Sequence, residues 1–213
     1  MDDIARLLDV ERSRLVNTLE GLDDDQWRTP SLCEGWRVRE VVVHLLMPHQ
    51  LSPVKFLLLM ARTRFDFDAV ADRWAREDTR PHAELVDALR ATADQPFRVP
   101  GAPPEAPLSH LVIHAGDVYR PLGLGSGASG RAAEVVLDAL TTGRGRGLAP
   151  AGLLGSVALR ATDADWRHGE GPEVAGPASA LITVLAGRHA GVDDLEGEGV
   201  ARVRECLGVG RPA

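Results

Sequence analysis

SHLVIHAGDVYRPLG, residues 109–123, sets two histidines four apart in an apolar run and follows them with an aspartate and an arginine. Read as a helix, the stretch stacks His110 and His114 on one face, because positions i and i+4 lie one above the other. Two imidazoles so placed are half of a transition-metal site, and a catalytic site of that kind takes a third protein ligand while keeping one position open. The alternative is a pair of hydrogen-bonded core histidines. His44, in VREVVVHLLM (38–47), is the third candidate ligand, since it sits among apolar residues where an imidazole is costly to bury alone. Asp117 follows His114 by three and has three readings: it orients a ligand imidazole, joins the metal itself, or pairs with Arg120. Cys33, in a loop, reads as a small hydrophobe rather than a thiolate ligand. His49, His82, His168 and His189 lie beside turn residues or in polar stretches and read as solvated.

Outward from this stretch the periodicity is mostly helical. Ile4, Leu7, Leu8, Leu15 and Leu19 share one face of a helix over residues 2–20. After the polar turn DDDQWRTPSLCEGW, the run 38–47 is helical by length and flanks, although Val41–Val43 lower its propensity, and Pro48 should stop it. VKFLLLMARTRFDFDAVADRWARE predicts a long or broken helix, and residues 82–94 another. Prolines 96, 100, 103, 104 and 107 predict a surface loop before the helix over 108–120, which ends in the glycine-rich segment 123–130. Ser129 is placed to cap a helix over Ala132–Leu140. GLGSGASG fits the GxGxxG pattern, but a helix rather than a strand precedes it, so a dinucleotide fold lacks its context.

Beyond GRGRGLAP (143–150) the texture changes. Alternation in SVALRATD predicts a strand, HGEGPEVAG a glycine-rich turn, and PASALITVLAG a helix begun by Pro177. The reading is α+β, with a helical part over residues 1–145 and a smaller α+β part over 146–213. Trp166 is expected in the core of the second part. Arg188, near the end of the last predicted helix, either binds a carboxylate or serves as a cation at a helix C-terminus.

The chain of 213 residues, 44% hydrophobic, can bury a sizeable core. Its 24 basic and 31 acidic residues give a net charge of −7 with no like-charge block, which argues against a nucleic-acid surface or an anionic-membrane anchor. Two cysteines make no disulfide framework, and no apolar run reaches the ~20 residues of a bilayer span. The expectation is a cytoplasmic monomer or homodimer acting on small molecules.

Three separated segments, PSLCEGWRVREVVVHL (30–45), HLVIHAGDVYRPLG (110–123) and LRATDADWRHGEGPEVAGPASALITVLAGR (159–188), resemble the mycothiol-dependent maleylpyruvate isomerase family of actinobacteria. The resemblance implies a DinB-like four-helix bundle over 1–145 followed by a sterol-carrier-like α/β module over 146–213. It also implies a divalent metal in the bundle, zinc foremost with nickel, iron or manganese admitted, on His44, His110 and His114. The isomerases usually carry glutamate where this chain has His110. Three neutral ligands leave the site's charge near about +2, which favours binding and acidifying an incoming thiol or water. The activity implied is isomerisation or S-transfer on a small electrophile with mycothiol as co-substrate, Arg188 and Asp117 being the remaining site residues. A non-catalytic DinB-like binding protein and a hydrolase working through metal-activated water are the alternatives.

Overall fold

The 3.6-residue periodicity of the first two thirds of the chain becomes helix, and the alternation after residue 157 becomes a small sheet. The computed structural model describes residues 2–99, 101–125, 127–128 and 130–208. In chain order these form α1 (Asp2–Glu20), α2 (Asp24–Arg28), α3 (Val38–Gln50), α4 (Pro53–Arg62), α5 (Phe67–Glu77), α6 (His82–Ala91), α7 (Ala106–Tyr119), α8 (Gly130–Thr141), β1 (Ala158–Ala161), β2 (Arg167–His168), β3 (Glu173–Gly176), α9 (Ala178–Leu185) and α10 (Val200–Leu207). The class is α+β. Two compact units emerge, residues 12–102 and residues 1–11 with 103–213, so packing groups α7 and α8 with the sheet.

In the unit of residues 12–102, α3 is the central element. Ten of its thirteen residues are buried, Val41–Val43 among them. A helix buried on nearly every side survives weak propensity because packing, not propensity, holds it. Its start is fixed by Glu40, which accepts hydrogen bonds from the Arg37 backbone N–H at 2.9 Å and from its guanidinium at 2.6 and 2.9 Å. Pro48 does not stop α3, contrary to expectation. It removes a single backbone donor near the helix end, and Leu51 N–H still reaches Met47 O at 2.9 Å. His49, expected in solvent, is therefore carried into the interior, edge-on to Phe97 with ring centroids 5.6 Å apart. His82 is half-buried as well, stacked on Trp27 at 4.4 Å. The polar turn contains α2, closed by a reciprocal Asp23–Gln26 cap. The long stretch after Pro53 breaks into α4 and α5 at Arg64 and Phe65, both in the left-handed region with φ of 56° and 67°.

In the other unit, Leu137 and Leu140 of α8 share one core with Leu181 and Leu185 of α9, Val174 of β3 and Trp166. Trp166 is buried, its indole N–H donating to Asp138 at 2.9 Å. The sheet has the order β2-β1-β3, with β1 antiparallel to β2 (Leu159 opposite His168) and parallel to β3 (Leu159 opposite Val174). HGEGPEVAG is thus more than a turn, since EVAG forms β3 while the glycines make the corner. At Gly169, φ +81°, an added Cβ would lie 2.6 Å from Val157 O, so only glycine fits. The sequence reading omits α10 altogether. Ser129, the expected cap of α8, lies outside the described residues.

Candidate metal centre

α7 begins with Pro107 in its first turn, where the missing N–H is harmless. Leu108, Leu111, Val112, Ala115 and Val118 bury one side of it and leave His110 and His114 half-buried on the other. The i, i+4 pair converges as the spacing predicts. The ring centroids are 4.9 Å apart with planes at 78°, and a nitrogen of one ring lies within 4.8 Å of a nitrogen of the other. His114 Nδ1–H donates to Asp117 Oδ2 at 2.9 Å. That bond fixes the tautomer and directs any ligation through Nε2, the arrangement by which a carboxylate orients a metal-binding imidazole.

Asp117 is itself held. α9 closes in a Schellman turn: Gly187 N–H reaches Val184 O at 2.9 Å, Arg188 N–H reaches Thr183 O at 3.0 Å, and Gly187 takes a φ of +83°. The reversal brings the Arg188 guanidinium onto Asp117, with Nε to Oδ1 at 2.9 Å and Nη2 to Oδ2 at 2.7 Å. Such a two-point clamp restrains rotation of the carboxylate. Arg188 also donates to Ala186 O. Burial alone would push the Asp117 carboxyl up, but the hydrogen bonds and charge of His114 and Arg188 outweigh it and hold it well below the usual carboxylate range. Of the three readings of Asp117, the structure displays the orienting contact, and the Arg120 pairing is absent because Arg120 turns to Ala190 O and Asp194. The carboxylate met by Arg188 belongs to the chain itself.

His44 lies in the other unit, buried on α3 with its ring 5.1 Å from that of Trp36. Trp36 is pinned by its own N–H, which donates to Asp72 at 2.9 Å, and Trp74 donates to Val43 O at 3.3 Å. Cys33 sits half-buried in the turn before α3, its N–H on Ser31 Oγ at 3.1 Å. The Arg188–Asp117 clamp joins residues 71 apart and left no local mark. The only signal was Gly187 after an apolar helix, which announces the Schellman turn but not what Arg188 meets.

Residues 8–137, more than half of the chain, match the model of the mycothiol maleylpyruvate isomerase N-terminal domain. Two solved structures resemble the chain over 92% of its length and 92% of theirs, each with a TM-score of 0.46. One is a mycothiol-dependent maleylpyruvate isomerase at 15% identity, the other a histidine-to-alanine mutant of such an isomerase at 14%. No curated protein matches. No described helix is long and apolar enough to cross a membrane. With its histidine-bearing α3 and α7 both inside the matched residues, the chain belongs to the mycothiol maleylpyruvate isomerase N-terminal domain family.

Proposed function

We propose that this chain is a metal-dependent enzyme that uses mycothiol to isomerise or S-conjugate a small electrophile. His44, His110 and His114 are the ligands to one divalent metal, and zinc suits three imidazoles with an open position. The chain is read as a helical portion over 1–145 followed by an α+β module over 146–213. The observation that carries the reading is the Arg188–Asp117–His114 chain of hydrogen bonds. A half-buried imidazole with a clamped carboxylate behind it is presented for ligation through its outer nitrogen, the orientation that a divalent ion requires.

The residues divide the work. Asp117 accepts a hydrogen bond from His114 Nδ1–H and keeps the ring in one tautomer and one orientation. Arg188 stops the carboxylate from turning and balances its charge. Both are positioning residues. When bound, a metal with an open coordination site supplies a thiolate near neutral pH from a thiol whose ordinary pKa is about 8.5.

Elemental analysis of the purified protein tests the ligand set, with an expected content of about one zinc-group metal per chain that falls to background in His44→Ala and His110→Ala. A metal-free wild type would favour a non-catalytic binding protein. Incubation of the metal-loaded protein with mycothiol and maleylpyruvate, or with mycothiol and a maleimide, then separates isomerase from S-transferase. Turnover without thiol identifies a hydrolase.

A further inference from the structure

A cleft of about 540 Å3 lies within the unit of residues 12–102, where the start of α3, the end of α5 and the start of α6 meet. Its described lining includes none of His44, His110 and His114. That size holds a small organic ligand. Five arginines line it, and the two buried carboxylates in its wall are already taken. Both oxygens of Glu40 accept from Arg37, and both oxygens of Asp78 accept from Arg80, from its backbone N–H at 2.9 Å and its guanidinium at 2.9 and 2.6 Å. Asp24, the third carboxylate of the lining, stands largely in solvent.

Donors are left over. Arg39 is only 15% exposed, yet it makes a single hydrogen bond, from Nη2 to Arg80 O at 2.8 Å. Its ion pair with Asp78 is long, at 3.5 Å, since that carboxylate is committed to Arg80. Nε and Nη1 of Arg39 have no hydrogen-bond partner among the described residues, and neither is shut away from the cleft. A guanidinium mostly withdrawn from water with N–H groups unused is costly unless an acceptor reaches it. With the wall's own buried acceptors spent, a ligand has to supply one. Planar donor forks match the oxygens of a phosphate, and a phosphate monoester offers three of them to arginines on more than one side.

His82 is a second, independent feature of the same cleft. Its ring stacks on buried Trp27, with centroids 4.4 Å apart and planes at 8°, so one face is covered and the cleft meets the other. Burial and the nearby charges of Arg39 and Arg28 hold its pKa below the ordinary 6.5 against the opposing pull of Asp24, which leaves the ring neutral near pH 7. A neutral ring backed by a fixed indole is a surface on which another flat ring can stack.

We propose that this cleft binds a phosphate monoester carrying a flat ring, a nucleoside monophosphate or an aryl phosphate, with its phosphate on Arg39 and its ring on His82. The site needs no metal and does not rest on the function proposed above. The chain's net charge of −7 disfavours a polyanion such as nucleic acid, whereas a compact dianion feels chiefly the charges within about 10 Å.

Calorimetric titration of the full chain with AMP, UMP, phenyl phosphate, adenosine, benzoate and inorganic phosphate tests the assignment. The expected result is saturable binding of at least one of the three esters, at least about tenfold tighter than inorganic phosphate, which lacks the ring, and than adenosine and benzoate, which lack the phosphate. The affinity should fall as salt is raised. A nucleotide source predicts AMP or UMP ahead of phenyl phosphate, and an aryl source the reverse. Arg39→Gln should weaken the bound ester about tenfold or more. His82→Leu, which keeps an apolar side chain against Trp27, should reduce the ester to the level of inorganic phosphate and leave inorganic phosphate unchanged. The ranking of ligands is read on the unaltered chain, so the test stands if a variant does not fold. Binding of none of the esters overturns the site, as does an ester affinity unmoved in a folded Arg39→Gln chain. Inorganic phosphate or benzoate binding as tightly as the esters overturns it too, and means an adventitious anion only.

Discussion

The two histidine-bearing helices fix their imidazoles by different means. On α7, His114 is held by charge: a buried aspartate accepts a hydrogen bond from its Nδ1–H, and an arginine from beyond α9 clamps the aspartate. On α3, His44 is held by packing, in a helix buried on nearly every side and against the Trp36 ring. Directed hydrogen bonds set an angle and a tautomer, whereas packing sets a position and tolerates changes of shape poorly. Substitutions on α7 should therefore change metal affinity with little change in stability, and substitutions around His44 should do the reverse.

The largest effect expected from this contrast is the loss of bound metal in His114→Ala, read by elemental analysis, with the unfolding midpoint of the metal-free protein nearly unchanged. Asp117→Asn tests the same arm more finely. It keeps the size of the side chain, removes its charge, and should weaken metal binding about 10- to 100-fold, measured by competition with a chromogenic chelator. If Asp117→Asn binds metal as tightly as wild type, the clamp orients nothing. Arg188→Gln should move affinity in the same direction by less, since the His114–Asp117 bond survives it.

On α3 the expected readout is stability. Leu46 is fully buried in the helix that carries His44, and Leu46→Ala should lower the unfolding free energy by about 2–5 kcal/mol in urea titration. Leu140→Ala, equally buried on α8, sets the scale for the other unit. A Leu46 variant that lost metal but not stability would contradict the contrast. Trp36→Phe should be milder, at about 1 kcal/mol, because it keeps a ring beside His44 and gives up the hydrogen bond to Asp72.

The sequence conveyed the α7 half of the candidate site and offered Arg188 as a carboxylate binder, but not that the carboxylate is Asp117. His110, His114 and Asp117 fall within eight residues, so helical geometry alone relates them. Arg188 and Asp194 reach α7 from more than 70 residues away, and no periodicity encodes such a partnership. The helices with a clear polar face were legible for the same local reason. α2 was hidden by its length of five residues, and β3 by the glycines around it, which read as a turn until β1 supplies its parallel partner. Pro48 misled because one missing donor near a helix end is a small loss against the burial of the residues around it.

The smallest effect concerns His49, at the end of α3. His49 is buried, and burial pushes its pKa below the ordinary 6.5, with Arg12 and Arg98 adding to the shift and hydrogen bonds to the backbone at Gln95 and Pro96 only partly opposing it. The unfolded chain takes up this proton near pH 6.5 and the folded chain only at lower pH, so the unfolded state binds more protons in between. Stability from this group is full above about pH 6.5 and declines as pH falls through that window, the opposite of a histidine stabilised by an anion. His49→Phe should flatten the slope of unfolding free energy against pH below about pH 6.5. His82→Phe should flatten it less, because His82 lies nearer the surface and Asp24 beside it opposes the downward shift. Equal slopes in wild type and His49→Phe would mean that the ring opens to water in solution, and with it the last turn of α3.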